Sequence, residues 1–181
     1  MSEAETVKIV AGGPLFTAEH DRFNGIDHFV LNEAEITLPQ FITDLHHGEA
    51  RPLYTTENFP ELTATPAPRL DLLDMKNYAS MNIQYSRGCP FQCDFCDITA
   101  LFGQRIRTKQ AAQIVAELEN IYRRGWRGRV FFVDDNFIGN KGHVKREVLP
   151  AIIEWMTVRK YPFVFSTEAS INLSDDDELM H

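Results

Sequence analysis

Apolar residues fall along this chain in two alternating rhythms. Short β-branched or aromatic runs read as strands: Val7-Lys-Ile-Val-Ala11, closed by Gly12-Gly13-Pro14, then His28-Phe-Val-Leu31. Similar runs recur at residues 81–86, at Val130-Phe-Phe-Val133 and from Phe163-Val-Phe165. Between them apolar residues recur at helical spacing. Phe41, Ile42 and Leu45 share one face of a helix expected to be capped by Thr37 and to stop at Gly48. Ala111, Ile114, Val115, Leu118, Ile121 and Tyr122 form a second stripe. Val144, Val148, Leu149, Ile152, Ile153 and Met156 form a third, and a last helix is expected between Asp175 and Met180. Repeated strand–helix alternation predicts an α/β fold with parallel strands and right-handed crossovers. Loops at the carboxyl ends of such strands are where α/β proteins keep their chemistry.

The rhythm lapses over residues 49–80, where Thr65-Pro66-Ala67-Pro68 favours extended backbone and no period persists. Three segments follow: an α/β tail at 1–48, a connector at 49–80 and a second α/β segment at 81–181. Two strands and one helix are too little for the first segment to cover both faces of a parallel sheet. With 44% hydrophobic and 24% charged residues in 181, the composition is that of a folded chain. No apolar run approaches the ~20 residues that span a bilayer. No signal-peptide pattern follows Met1, so a cytoplasmic location is expected. The net charge of −8 lies wholly in residues 1–86, with 13 acids against 5 bases, while residues 87–181 hold 13 of each. That balance argues against a nucleic-acid coat or a binder of anionic membranes.

The three cysteines lie in Arg87-Gly88-Cys89-Pro90-Phe91-Gln92-Cys93-Asp94-Phe95-Cys96, spaced C-x3-C-x2-C. An odd number fits poorly with a closed disulfide framework. Three thiolates from one short loop suit a soft metal centre. Zinc is one alternative, but structural zinc takes four ligands, and His20, His28, His46, His47, His143 and His181 all lie well away in sequence. Three unrelated thiols are another. A cubane iron–sulfur cluster normally takes four thiolates, so three leave one iron open to a substrate or cofactor. Gly88 and Pro90 turn the loop, and Phe91 and Phe95 are placed to shield such a cluster. After the next strand, the carboxylates of Asp134-Asp135-Asn136 can accept hydrogen bonds from an ammonium, or simply form a turn. Glu168 follows the third strand and is left undecided between ligand contact and turn. Arg105, Arg107 and Lys109, with Arg123, Arg124, Arg127 and Arg129, read as solvated faces.

Cys89, Cys93, Phe95 and Cys96 resemble the C-x3-C-x-aromatic-C signature of the radical S-adenosylmethionine (SAM) superfamily. The resemblance implies a partial (β/α) barrel and a 4Fe-4S cluster whose open iron chelates the amino and carboxylate groups of SAM. Reductive cleavage of SAM then releases a 5′-deoxyadenosyl radical that abstracts hydrogen from substrate. Relatives commonly carry Gly-Gly-Glu where this chain has Asp134-Asp135-Asn136, a departure that can preserve the ammonium contact. The Gly12-Gly13 turn resembles the end of a cobalamin-binding Rossmann-like domain, where glycine lets backbone approach the cofactor. The Asp-x-His-x-x-Gly motif that some relatives use as a lower cobalamin ligand is absent. Ser86-Arg-Gly-Cys-Pro-Phe91, Leu101-Phe-Gly103, Gly125-Trp-Arg-Gly128 and Val133-Asp-Asp-Asn-Phe-Ile-Gly-Asn-Lys141 resemble the subgroup that contains the hopanoid C-2 methylases. The implied arrangement is the tail of a cobalamin domain followed by the first half of a radical SAM barrel, a fragment of a longer enzyme. The implied activity is cobalamin-dependent C-methylation of a small-molecule or lipid-like substrate. Its implied electron donor is a reductase or a flavodoxin- or ferredoxin-type protein. The alternative is an iron–sulfur binding or electron-transfer protein that never cleaves SAM.

Overall fold

A computed structural model describes residues 7–180. They divide into two compact units: one runs to Pro60 and includes Ala100–Phe102, and the other holds Glu61–Thr99 and continues from Gly103. The first unit is built on a parallel sheet of β1 (Val10–Gly12), β2 (His28–Val30) and β3 (Leu53–Tyr54), in that order. Val10 pairs with His28, and Phe29 with Leu53. The first strand begins three residues later than its β-branched run, because the Asp27 carboxylate takes the Ile9 N–H at 2.8 Å. A short helix, α1 (Pro14–Glu19), follows the glycine turn, and α2 (Ala34–His47) follows β2. The second helix starts ahead of Thr37, its expected cap. Thr37 is buried in the first turns and its hydroxyl donates to the Leu31 carbonyl at 2.9 Å. Gly48 ends the helix at φ 74°, a left-handed position that glycine takes without strain. The core is small: Val30, Phe41 and Tyr54, with Ala50 against it.

The second unit carries a larger core on a parallel sheet ordered β4 (Ser80–Ile83), β7 (Arg129–Phe132), β8 (Val164–Thr167). Between the first two of these strands lie β5 (Ser86–Arg87) and β6 (Arg107–Thr108), an antiparallel pair. Its helices are α4 (Ala111–Arg123), α5 (Lys141–His143), α6 (Leu149–Val158) and α7 (Asp177–Met180), while α3 (Ile98–Phe102) is divided between the units, with Ile98 and Thr99 in this one. Met81, Ile83, Val130 and Phe132 on the strands share one core with Ile114, Leu118 and Ile121 on α4 and with Val144, Val148 and Ile152 from the helical run that leads into and includes α6. Each such burial is worth about 1.5–3 kcal/mol relative to exposure. The architecture is therefore α/β with parallel sheets, as the alternation of elements predicts. Residues 49–80 supply β3 to the first sheet, while Leu62 and Leu70 are buried within the second unit.

Two sequence expectations change here. A five-residue π turn, Val144–Val148, interrupts the helical run before α6. Pro150 cannot donate the i−4 hydrogen bond to Arg146, and a wider turn accommodates the missing link. The predicted stripe survives this turn, with Val144, Val148, Ile152 and Met156 buried and Ile153 56% exposed, while Trp155 joins the buried face. Arg107 and Lys109 are buried rather than on a solvated face, and the Lys109 ammonium lies 2.5 Å from the Glu117 carboxylate on α4. A buried pair of this kind resists removal of either partner.

Candidate functional site

The cysteine loop leaves the sheet through β5 and returns through β6. The pairing of Ser86 with Thr108 and Arg87 with Arg107 closes its base. Inside that closure the Cys89 N–H donates to the Gly103 carbonyl at 3.2 Å. Gly88 sits at φ 91°, and a Cβ there would meet the Arg105 carbonyl oxygen at 2.5 Å. Only glycine satisfies both demands. The Cys96 N–H closes a turn onto the Cys93 carbonyl at 3.1 Å, which brings the last two cysteines together at the loop tip.

All three cysteines are free thiols. They line one cavity of about 220 Å³ with Phe91, Phe95 and Ile98, and with residues from the carboxyl ends of two neighbouring strands. Asp135 and Asn136 reach it from beyond β7, and Glu168, Ala169 and Ser170 from beyond β8. The thiols do not converge on a point: among the described residues no three His, Cys, Asp or Glu side chains group as a single-ion site. A cubane asks for something different, since each thiolate binds its own iron. The three free thiols of this cavity are a donor set of that kind, and no histidine lines it. Phe95 lines the cavity while 91% exposed.

The three residues after β7 have separate tasks. Asp134 is buried and turns away from the cavity, accepting from the backbone N–H of Tyr85 at 3.1 Å and from both the N–H and the hydroxyl of Ser86. It fastens the chain just ahead of the cysteine loop. Burial pushes its carboxyl above the ordinary carboxylate range, against the pull of those donors. Asp135 opens onto the cavity, and burial raises its carboxyl as well. Asn136 is buried, and its side-chain oxygen accepts from the N–H and the hydroxyl of Ser170, both at 3.2 Å, tying the two strand-end loops together. Glu168, undecided from sequence, lines the cavity, and its carbonyl accepts the Phe137 N–H at 3.0 Å. Ala169 and Ser170 were not anticipated. Their signal was positional only, as the first residues past a parallel strand.

In the first unit Gly12 and Gly13 also part ways. A side chain on Gly12 would strike the Val30 carbonyl of the neighbouring strand, so this glycine serves sheet packing. Gly13 stands at φ 91° with open space where its Cβ would point. Asn32, at φ 62°, joins the segments that follow all three strands. Its N–H donates to the Thr17 hydroxyl at 2.9 Å, and its side-chain oxygen accepts from the Thr55 hydroxyl at 2.7 Å and the Thr56 N–H at 3.1 Å.

Comparison with known proteins places this arrangement in context. A protein named uncharacterized methyltransferase in Synechocystis sp. is 50% identical over 176 residues, which cover 96% of this chain and 33% of that protein. The chain is related to proteins named methyltransferases. The hopanoid C-2 methylase of Rhodopseudomonas palustris is 36% identical over 176 residues, 95% of this chain and 33% of the relative. The hopanoid C-3 methylase of Methylococcus capsulatus is 30% identical over 95 residues, 49% of this chain and 17% of that enzyme. The chain spans about one third of the length of the first two relatives. No family model matches it. No helix of the described residues is long and apolar enough to cross a membrane.

Proposed function

We propose that this chain is the cluster-bearing portion of a radical SAM methyltransferase. The carrying observation is that three free thiols from one clamped loop line a single cavity with Asp135, Asn136 and Glu168, at the carboxyl ends of parallel strands. Similarity to proteins named methyltransferase and hopanoid methylase supports the methyl-transfer half of this reading. Cys89, Cys93 and Cys96 would hold a 4Fe-4S cluster. When bound, that cluster supplies the electron that cleaves SAM to a 5′-deoxyadenosyl radical and methionine. The chain's own residues bind and orient. Asp135 is the carboxylate placed to accept hydrogen bonds from an ammonium, and a cation seated there would draw its raised carboxyl pKa back down. Asn136 holds the loop carrying Ser170 in register with the thiols. Asp134 acts one step removed, by fixing Tyr85 and Ser86.

The second half of the proposal concerns the first unit. Its parallel strands and the open space over Gly13 fit the end of a cobalamin-binding domain, with the second unit as the beginning of a radical SAM barrel. Cobalamin would then relay the methyl group to a small-molecule or lipid-like carbon. Electrons would come from a reductase or a flavodoxin- or ferredoxin-type donor.

Anaerobic reconstitution with iron and sulfide, followed by counting both, tests the cluster. Wild type is expected to take up both. Cys93→Ala is expected to lose essentially all of the iron and sulfide while keeping its melting temperature. Zinc without sulfide in the wild type, or full iron in the variant, would sink the assignment. Incubation of the longer protein with SAM and dithionite separates a catalyst from an electron carrier, because only the first produces 5′-deoxyadenosine.

A further inference from the structure

We propose that a second cavity, beside the thiols, binds a small anionic ligand through a carboxylate or phosphate group. It has a volume of about 410 Å³, larger than the thiol cavity, and shares Phe91 and Asn136 with it. Its apolar wall is Phe91, Ile106 and Ile138; its polar wall is Asn136, Asn140, Lys141 and Asn172. A space of this size and mixed lining suits a small metabolite.

The hydrogen-bond inventory of the polar wall decides the sign of the ligand. The Asn136 side-chain oxygen is occupied by the N–H and hydroxyl of Ser170. The Asn140 side-chain oxygen accepts the His143 N–H at 3.2 Å, capping α5. A backbone N–H can only donate, so both contacts fix these side chains with oxygen inward, leaving their NH₂ groups unspent. The Asn172 side-chain amide shares a 2.6 Å hydrogen bond with the Ser170 hydroxyl, and its backbone oxygen takes Lys141 Nζ at 2.6 Å. The side-chain oxygens of Asn136 and Asn140 are therefore engaged, while their two amide nitrogens and two ammonium protons of Lys141 remain. Asn136 is only 4% exposed, so its NH₂ has little to serve except these cavities. Lys141 keeps most of its charge for a ligand. Its nearest carboxylate, Asp176, stands 4.0 Å from Nζ and is held more closely by Lys145 at 2.6 Å. Lys145 also pairs with Glu178 at 3.0 Å. With the Lys141 side chain 29% exposed, attraction to an anion is stronger than it would be in open water. A donor-rich wall with one ammonium and an apolar floor selects an acceptor-rich anion carried on a small apolar body.

The shared Phe91 and Asn136 would put such a ligand next to whatever the thiols hold. The binding itself needs no cluster, so it is tested on the chain alone. Inorganic phosphate and butyrate are titrated separately against ¹⁵N-labelled protein, and the two arms tell phosphate from carboxylate chemistry. Saturable shifts confined to Asn136, Asn140, Lys141 and Asn172 are expected, with a Kd on the order of 1 mM. Asn140→Asp keeps the oxygen that caps His143 but replaces a donor with a negative charge. It is expected to weaken binding at least ~tenfold, about 1.4 kcal/mol, with an unchanged melting temperature. Lys141→Met should do the same. The proposal is overturned if neither anion saturates, if shifts spread evenly over surface lysines, or if both variants bind like wild type. Failure of the cluster assignment would leave this titration untouched.

Discussion

At the scale of single residues, Asp134 shows how neighbours in sequence can divide their labour. Asp134 and Asp135 look interchangeable in the sequence. In the fold one anchors the backbone of Tyr85 and Ser86, and the other opens onto the thiols. Removing the anchor strands three donors in a buried turn, each costing about 1–3 kcal/mol when unsatisfied. Asp134→Ala is therefore expected to destabilise the second unit by about 2–4 kcal/mol in denaturant titrations, and to loosen the cysteine loop with it. The pH dependence has a defined sign. Burial raises the native carboxyl pKa, so the native state holds its proton more tightly than the unfolded chain does. Stability contributed by this group is present below the ordinary carboxylate pKa and declines as pH rises towards the raised native one. The variant should lack that decline, which unfolding curves over a pH series will check. Lys109 carries the complementary lesson. Nothing in its own neighbourhood distinguishes it from a surface lysine, because its partner Glu117 arrives only when α4 folds back over the sheet.

Among elements, the helical stripe of α4 was legible from its spacing, whereas in α2 only Phe41 of the predicted stripe is buried and Ile42 and Leu45 are exposed. Ile114, Leu118 and Ile121 are buried as their spacing predicts. The spacing also held through the π turn, where Val144, Val148, Ile152 and Met156 are buried and only Ile153 of the predicted stripe is exposed. The start of α2 was misleading, because Thr37 resembled a cap but its hydroxyl satisfies the Leu31 carbonyl from inside the helix. Helix α2 contains Pro39 in its interior, where a proline removes one i−4 hydrogen bond and crowds the preceding turn. Pro39→Ala is expected to stabilise the first unit by about 1–3 kcal/mol, read as a higher melting temperature. No gain, or a loss, would mean that the proline ring is supported by packing worth as much as the missing bond. The cysteine loop belongs to this scale too. Its closure depends on a two-residue antiparallel pair, Ser86 with Thr108 and Arg87 with Arg107, too short to announce itself in sequence.

For the molecule as a whole, the two units differ in how much core each encloses. The first has three buried apolar side chains in one cluster, while the second joins strands, α4 and α6 around a much larger one. Local opening follows buried contact density. Hydrogen exchange should therefore be slowest at β4 and β7 and at least ~tenfold faster across β1, β2 and β3; the reverse order would show that burial does not govern their opening. The sequence by itself determined the α/β class, the order and approximate limits of the main strands and helices, and the thiol loop. Those features depend on local periodicity and on residues adjacent in the chain. Only the tertiary structure decided which polar residues serve the site. Asp135, Asn136, Glu168 and Ser170 meet the thiols because parallel strands bring their carboxyl ends side by side, from positions tens of residues apart. It also decided that Gly12 answers to a neighbouring strand, that Asp134 faces inward, and that a second cavity is rich in donors. Each depends on where a side chain's partner lies in space, and sequence spacing carries no such information.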